Sequence, residues 1–381
     1  MRKRLWKFGL PTGIFFLSAL AQSLFIQLKL PAPTGPYSVG QTIFRWVDSS
    51  RPEVVTENPA DSREVIAVVW YPARPGTGTQ DGYFPGLSKV AEALRESGEV
   101  ETWEVFGLQF VRSNSYLDAE PVKDQDPFPV VLLSPGNGTN IELYAGLASE
   151  IASHGYIVVG INHPYDVAAV ELSKGSVAPY NKYQWSLDVQ AHQAYTAERI
   201  KVRTADVSFA LNQLETINAD ANRPFAGILD LNNVAIAGHS LGGITASEAC
   251  KADARFKACL NFDGLQKGGP FSTDDGATPP NQPFIFLTKE SQLHPLLIEK
   301  FESTAESYWV VIHGASHDSF TDGPQLQPSL LPLPNQADHF MRLIQKYTLA
   351  FLEQALKGQS LSLLSNTVDQ QDVSVKVFPS R

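Results

Sequence analysis

The sequence predicts an α/β fold with a mostly parallel central sheet, helices on both faces and a small insertion or cap. Apolar runs of strand length alternate with longer stretches of helical periodicity through most of the 381 residues. Continuous apolar runs such as VVLLS at residues 130–134 are typical of strands that are covered on both faces. Because ligands bind outside the carboxyl ends of such strands, functional residues are expected in the loops that follow them.

The first 29 residues are predicted to be a signal peptide or an N-terminal membrane anchor. Four basic residues within the first seven positions precede a mostly apolar stretch over residues 8–28. Ala19-Leu20-Ala21 offers a small-residue cleavage site, whereas an uncleaved stretch of this length is just able to anchor the chain in a bilayer. We therefore expect an exported protein, secreted or periplasmic, with a catalytic domain over residues 30–358 and a tail over 359–381.

The next elements are two strands with an insertion between them. Residues 65–71 and 130–134 have the length and apolar content of strands. Between them, Leu87, Val90, Ala91 and Leu94 recur at helical spacing, and an aromatic-bearing stretch with Trp103, Phe106 and Phe110 follows. This insertion is predicted to be a cap, whose apolar face packs on its own domain, covers a pocket or contacts lipid.

Regular alternation follows the cap. Helices are predicted at about 142–153, 189–217, 242–252 and 336–356, strands at 156–161, 234–237, 258–262, 284–287 and 308–312, a loop at 264–282 and a possible final strand at 373–378.

Charge and cysteine content exclude several classes of protein. The net charge of −10, with no basic cluster beyond the first seven positions, leaves no footprint for nucleic acid. The only cysteines are Cys250 and Cys259, so neither a disulfide-dense scaffold nor a cysteine-based zinc site is possible. The two are able to pair, but buried free thiols are the expected outcome. No metal or nucleotide motif is present, and we expect no cofactor.

Gly238-His239-Ser240-Leu241-Gly242-Gly243 has the setting of a nucleophile elbow. It follows the apolar strand at 234–237 and precedes a predicted helix. A strand that turns sharply into a helix strains the backbone of the serine and leaves no room for side chains two residues to either side. The alternative is a plain Gly/Ser turn, but the flanking strand and helix favour a serine hydrolase with Ser240 as nucleophile.

The nucleophile requires a histidine and an acid, which in this fold follow it in the order Ser, acid, His. His317 is best placed, in a loop after the strand at 308–312; His239, His313 and His339 are predicted to be structural. Asp263 and Glu290 both satisfy the order of an acid between serine and histidine. Asp263 directly ends its strand, so geometry favours it.

The oxyanion of acyl transfer requires two fixed N–H donors. Leu241, the residue after the nucleophile, supplies one. The other is expected from Asn137, because Pro135-Gly136-Asn137-Gly138 follows a strand and precedes a helix. A plain glycine turn is the alternative reading of this loop.

These segments together resemble the platelet-activating factor acetylhydrolase family, the secreted, calcium-independent group VII phospholipases A2 with an α/β-hydrolase fold. The resemblance extends from about residue 30 to 350 and includes LPAPTGPYSVG, VVWYPAR, PVVLLSPGNGTN, LASEIASHGYIVVGINHPYD, AGHSLGG, NFDG and SHDSFTD. It implies Ser240 as nucleophile, Asp263 rather than Glu290 as acid, His317 as base, and Leu241 and Asn137 at the oxyanion positions.

Two departures from the family concern the oxyanion loop. Pro135 stands where the family usually has histidine, and Asn137 replaces an apolar residue, which makes the pocket floor more polar. Specificity for an acetyl group therefore does not follow from the resemblance, since one methylene is worth only about 1 to 3 kcal/mol.

The resulting hypothesis is an exported serine esterase that hydrolyses the sn-2 short-acyl ester of platelet-activating-factor-like phospholipids, with possible peripheral contact to a lipid surface and no nucleic-acid partner. A general carboxylesterase or polyester hydrolase of the same fold is the first alternative, and a non-catalytic lipid-binding surface protein is the second. Intact Ser, Asp and His argue against the second.

Overall fold

The computed structural model describes residues 30–80, 82–181, 189–264, 280–290, 306–327, 336–359, 362–364, 368–369 and 371–378. The predicted N-terminal segment and most of the predicted loop at 264–282 lie outside these residues. The strands are β1 Ser38–Pro52, β2 Ser62–Ala73, β3 Tyr116–Leu117, β4 Phe128–Ser134, β5 Ile157–Asn162, β6 Ala169–Glu171, β7 Val177–Pro179, β8 Leu229–His239, β9 Phe256–Phe262, β10 Phe284–Lys289, β11 Ser307–Ile312, β12 Val368–Asp369 and β13 Val373–Phe378. The α-helices are α1 Leu87–Ser97, α2 Thr102–Leu108, α3 Ala145–Ser153, α4 Val189–Ala219, α5 Leu241–Ala252 and α6 Gln336–Lys357.

The described strands form one large sheet and a small hairpin of β6 and β7. The order in the large sheet is β12-β13-β11-β10-β9-β8-β4-β5-β2-β1-β3. Six adjacent strands, β5, β4, β8, β9, β10 and β11, are parallel. They are flanked by β2, which is antiparallel to β5, and by β13, which is antiparallel to β11, and β1 pairs antiparallel with the outer side of β2. The carboxyl ends of the parallel strands therefore lie at one edge, as the predicted α/β fold requires.

Apolar side chains cover both faces of this sheet. Because successive residues of a strand point to opposite faces, Val131 and Leu133 of β4 join the core shared with α3, α6 and the cap, while Val130 and Leu132 join the core shared with α4 and α5. The two cores confirm the prediction of helices on both faces.

The structure adds strands that the sequence analysis did not predict. The longest is β1, fifteen residues that pair antiparallel with β2 and have mixed burial along their length. An outer strand with partly exposed residues on both faces shows neither a continuous apolar run nor a clean alternation. The possible final strand is present as β13, which pairs with β11.

The cap comprises α1 and α2. Val90 and Leu94 of α1 are buried against the main core, so the apolar face of this helix packs on its own domain. In α2, Trp103 and Phe106 remain exposed. Within the described part of the chain, no helix is both long enough and apolar enough to cross a membrane.

The expectation of free thiols was wrong. Cys250 of α5 and Cys259 of β9 form a disulfide, with their Cα atoms 6.4 Å apart. The reason is that α5 packs directly on β9, which brings the two residues within the span of a disulfide. Both cysteines are almost fully buried.

Candidate active site

Ser240 lies at a strained turn between β8 and α5. Its φ of 55° and ψ of −120° are unfavourable for a residue with a side chain. The turn is tight because a Cβ on Gly238 would overlap the carbonyl oxygen of Gly242, and a Cβ on Gly242 would overlap that of Ser134. The backbone N–H of Ser240 donates to the carbonyl of Phe262 at 2.9 Å, which fixes the turn against β9. The two glycines of the motif are therefore required by backbone contact.

His317 and Asp263 lie in contact at the same edge of the sheet. The Nδ1 atom of His317 is 2.6 Å from Oδ2 of Asp263. Asp263 directly follows β9, is 1% exposed and has a φ of 48°, and its N–H donates to the carbonyl of Leu287 at 2.8 Å. His317 begins a short 3₁₀ helix after β11, and a quarter of its side chain is exposed. The pair thus joins a buried carboxylate to an accessible imidazole.

The other candidate acid and histidines lie elsewhere. The side chain of Glu290 is 73% exposed, and its Oε1 atom lies 3.9 Å from Nδ1 of His313. His313 also contacts the Ser374 hydroxyl at 2.7 Å, and His339 faces Asp372 at 3.6 Å. His294, a further histidine downstream of Ser240, lies outside the described residues.

His239 forms a wall beside the His317 ring, with ring centroids 4.5 Å apart. Its Nδ1 atom lies 2.9 Å from the Tyr144 hydroxyl. Burial, together with the nearby His317 side chain, holds the pKa of His239 well below its ordinary value. The depressed pKa favours the neutral imidazole of His239, which packs between Tyr144 and His317.

The loop Pro135-Gly136-Asn137-Gly138 is held on both sides of Asn137. The N–H of Gly136 donates to the Tyr144 hydroxyl and that of Gly138 to the carbonyl of Asp166, each at 2.9 Å. Among the described residues, no hydrogen bond from the backbone N–H of Asn137 or of Leu241 to a protein acceptor is found. Leu241 is also the first residue of α5, where the helix dipole favours negative charge.

One cavity brings these groups together. It has a volume of about 580 Å³, and its lining includes Ser240, His317 and Asn137. The cap contributes apolar residues such as Leu108 together with Trp103. Three carboxylates, those of Glu99, Glu104 and Asp318, also line the cavity, whereas no lysine or arginine of the described chain does. The cavity therefore combines the residue types of acyl transfer with an acidic lining.

Asp322 is a buried acid near this cavity to which the sequence analysis gave no role, although it lies in the SHDSFTD segment. Its carboxylate accepts hydrogen bonds from the Tyr83 hydroxyl at 2.7 Å and from the N–H of Gly146 at 3.0 Å. Burial raises the pKa of Asp322 to about 7. Asp322 thus joins the segment after His317 to Tyr83, just before the cap, and to α3.

No group of three or more potential metal ligands is present among the described residues. The described side chains of the site thus include acyl-transfer residue types and no ready-made metal centre.

Comparison with known proteins gives a consistent family. The model of the family "Platelet-activating factor acetylhydrolase, isoform II" matches residues 23–375. A platelet-activating factor acetylhydrolase of Cavia porcellus is 26% identical over 371 residues, covering 89% of this chain and 80% of that protein. A probable 1-alkyl-2-acetylglycerophosphocholine esterase of Arthroderma benhamiae is 26% identical over 286 residues, covering 70% of this chain and 67% of that protein.

A solved structure shows the same fold. The ferulic acid esterase of Streptomyces cinnamoneus superposes with a TM-score of 0.67 at 23% identity, covering 90% of this chain and 96% of that one. The likeness confirms the predicted α/β-hydrolase fold.

Proposed function

Because this chain belongs to the platelet-activating factor acetylhydrolase family, we propose that it hydrolyses the short sn-2 acyl ester of phospholipids that resemble platelet-activating factor. Membership makes it a carboxylic ester hydrolase. The observation that carries the mechanism is the 2.6 Å contact between Asp263 and His317, because His317 lines the same cavity as Ser240.

The reaction proceeds through an acyl-enzyme. Ser240 Oγ attacks the ester carbonyl and transfers its proton to His317, while Asp263 holds the tautomer and orientation of the imidazole. The N–H groups of Leu241 and Asn137 stabilise the oxyanion. The C–O bond to the alcohol then breaks as His317 returns the proton to the leaving oxygen. Water, activated by the same imidazole, releases the acid and restores the serine.

The charge of the cavity supports a choline phospholipid over an anionic one. Glu99, Glu104 and Asp318 repel an anionic headgroup, whereas a quaternary ammonium is attracted to carboxylates and to the face of an aromatic ring such as Trp103. The polar side chain of Asn137 donates to the Tyr180 hydroxyl at 2.8 Å, so the floor of the pocket is shaped by a hydrogen bond. Both features belong to the wall of the cavity, which is expected to contact the alcohol and acyl groups of the substrate.

Two measurements test the proposal. A fluorophosphonate is expected to label the wild-type protein and not the Ser240→Ala variant; a wild-type protein that does not react would support the lipid-binding alternative. A substrate panel then compares 2-acetyl glycerophosphocholine with short-chain nitrophenyl esters and a long-chain phosphatidylcholine. If nitrophenyl esters are cleaved and 2-acetyl glycerophosphocholine is not, the general carboxylesterase is the correct reading.

The location of the protein is part of the proposal. The basic and apolar composition of residues 1–29 supports export, with residues 30–358 as the catalytic domain. N-terminal sequencing of the protein purified from its native host tests cleavage after Ala21: a mature chain beginning at Gln22 supports a signal peptide, and an intact N terminus in the membrane fraction supports an anchor.

A further inference from the structure

A buried ion pair between Arg203 and Asp166 holds the backbone of the proposed oxyanion loop, Pro135-Gly136-Asn137-Gly138. Arg203 of α4 is 0% exposed and Asp166 is 1% exposed, and Nε of the arginine lies 3.2 Å from Oδ2 of the carboxylate. The same guanidinium donates from Nη1 to the carbonyl of Pro135 at 2.8 Å. It also donates from Nη2 to the backbone carbonyl of Asp166 at 3.3 Å.

These contacts reach the loop on both sides of Asn137. Arg203 binds the carbonyl of Pro135 directly, and the backbone carbonyl of Asp166, which it also binds, accepts the N–H of Gly138 at 2.9 Å. The rigid, planar guanidinium thus fixes the carbonyl of Pro135 before Asn137 and, through the carbonyl of Asp166, the N–H of Gly138 after it. A guanidinium is suited to this because its donors diverge in a fixed geometry, which the ammonium of lysine lacks.

We propose that Arg203 is a positioning residue that sets the Asn137 amide in the oxyanion hole by holding the backbone of the loop on either side of it. The inference rests on the proposed function, since it assigns Asn137 as an oxyanion donor. Arg203 does not itself line the cavity with Ser240; it acts through the peptide groups of the loop.

Arg199 provides a matched control. It lies one turn earlier on α4 and binds the same carboxylate, with Nε 2.7 Å from Oδ1 of Asp166, and it is 4% exposed. No contact joins its described side chain to residues 135–138. Arg199→Lys and Arg203→Lys therefore make the same chemical change on the same helix and at the same carboxylate partner. Only Arg203→Lys also alters a hydrogen bond to the loop.

The experiment measures kcat and KM on a short nitrophenyl ester, with active sites counted by fluorophosphonate titration. Arg203→Lys is expected to lower kcat per titrated site by about tenfold to hundredfold with little change in KM, because a misplaced oxyanion donor costs transition-state stabilisation. Arg199→Lys is expected to stay within about twofold of wild type. An alkyl trifluoromethyl ketone, which forms an oxyanion on the serine, should lose affinity for Arg203→Lys by the same factor as kcat falls.

A merely structural role would move different quantities. If Arg203→Lys loses only titratable sites, or if both arginine variants lose kcat equally, the proposal is overturned. If Arg203→Lys fails to fold, Asp166→Asn serves as a second variant, because it keeps the guanidinium and the backbone carbonyl but weakens the ion pair that aligns them. Asp166→Asn should lower kcat and the affinity for the trifluoromethyl ketone by the same factor, which should be smaller than for Arg203→Lys. Unchanged kcat and inhibitor affinity would overturn the proposal. Failure of the wild-type protein to react with the fluorophosphonate would instead refute the proposed function.

Discussion

Asp322 should make the stability of the protein depend on pH near neutrality. Its side chain is buried, and burial raises its pKa from the ordinary value of 3.8 to about 7. The folded state therefore holds a proton on this group that the unfolded state releases, so its contribution to stability is full below pH 3.8 and is lost as the pH rises to about 7.

The size of the effect follows from the interval. At pH 5 the folded carboxyl is protonated and the unfolded one is ionised; at pH 8 both are ionised. Two pH units at about 1.4 kcal/mol each give a loss of about 2 to 3 kcal/mol in the free energy of unfolding between pH 5 and pH 8. Because the Asp322→Asn variant does not titrate there, its stability relative to wild type should rise by this amount over the same interval.

Urea unfolding of both proteins at pH 5 and pH 8 measures the difference, and histidine titrations common to both cancel. Asp126→Asn, a matched change at an exposed residue, is expected to show no pH-dependent difference from wild type. A difference between Asp322→Asn and wild type that is the same at the two pH values within about 0.5 kcal/mol would refute the reasoning, because it would mean that the buried carboxyl keeps one protonation state throughout.

Three further changes test the site and its support. Asp263→Asn should lower kcat about 10⁴-fold by allowing the wrong imidazole tautomer, while the exposed Glu290→Gln should retain wild-type kcat; the reverse result would move the acid to Glu290. The ratio of kcat/KM for an acetate ester of choline to that for its uncharged 3,3-dimethylbutyl isostere should fall by about twofold to fivefold in Glu99→Gln. The ratio should not change in Glu96→Gln, because Glu96 lies on α1 outside the cavity lining. An unchanged ratio in Glu99→Gln would rule out charge selection by Glu99. Reductant should lower the free energy of unfolding of the wild type by about 2 to 3 kcal/mol and have no effect on Cys250→Ser, and a wild type indifferent to reductant would show that the disulfide does not form in solution.

The parts of the fold that the sequence predicted are those with local causes. The parallel strands are buried on both faces, so each appears as a continuous apolar run, as in β4 and β5. The elbow is recognisable because its glycines lie against backbone atoms that leave no room for a side chain. Those atoms are a few residues away, as Gly242 is from Gly238, or on the adjacent strand, as Ser134 is from Gly242. By contrast, β1 lies near an edge with partly exposed residues on both faces, and its sequence has no such pattern.

Contacts between residues far apart in the chain could not be predicted from the sequence. The pair of Asp263 and His317 was expected from chain order and from the strand end that each follows, yet chain order alone left Glu290 open. The grip of Arg203 on Pro135 joins residues 68 positions apart, and the hydrogen bond between Tyr83 and Asp322 spans 239 positions. Neither pair belongs to a motif, because each residue meets its partner only after the sheet has formed.

A second set of Ser, His and Asp shows why residue types and contact lengths do not identify a nucleophile. His163 lies 3.0 Å from the hydroxyl of Ser134 and 2.8 Å from the carboxylate of Asp206, and Arg63 also binds that carboxylate through two nitrogens. All three members of the set are fully buried, and burial lowers the pKa of His163 to about 4. The set therefore holds a neutral imidazole that no ester can reach. Ser134 continues the line of β4, whereas the positive φ of Ser240 turns its side chain out of β8 at the cavity, and this backbone strain is what separates the proposed nucleophile from a structural hydroxyl.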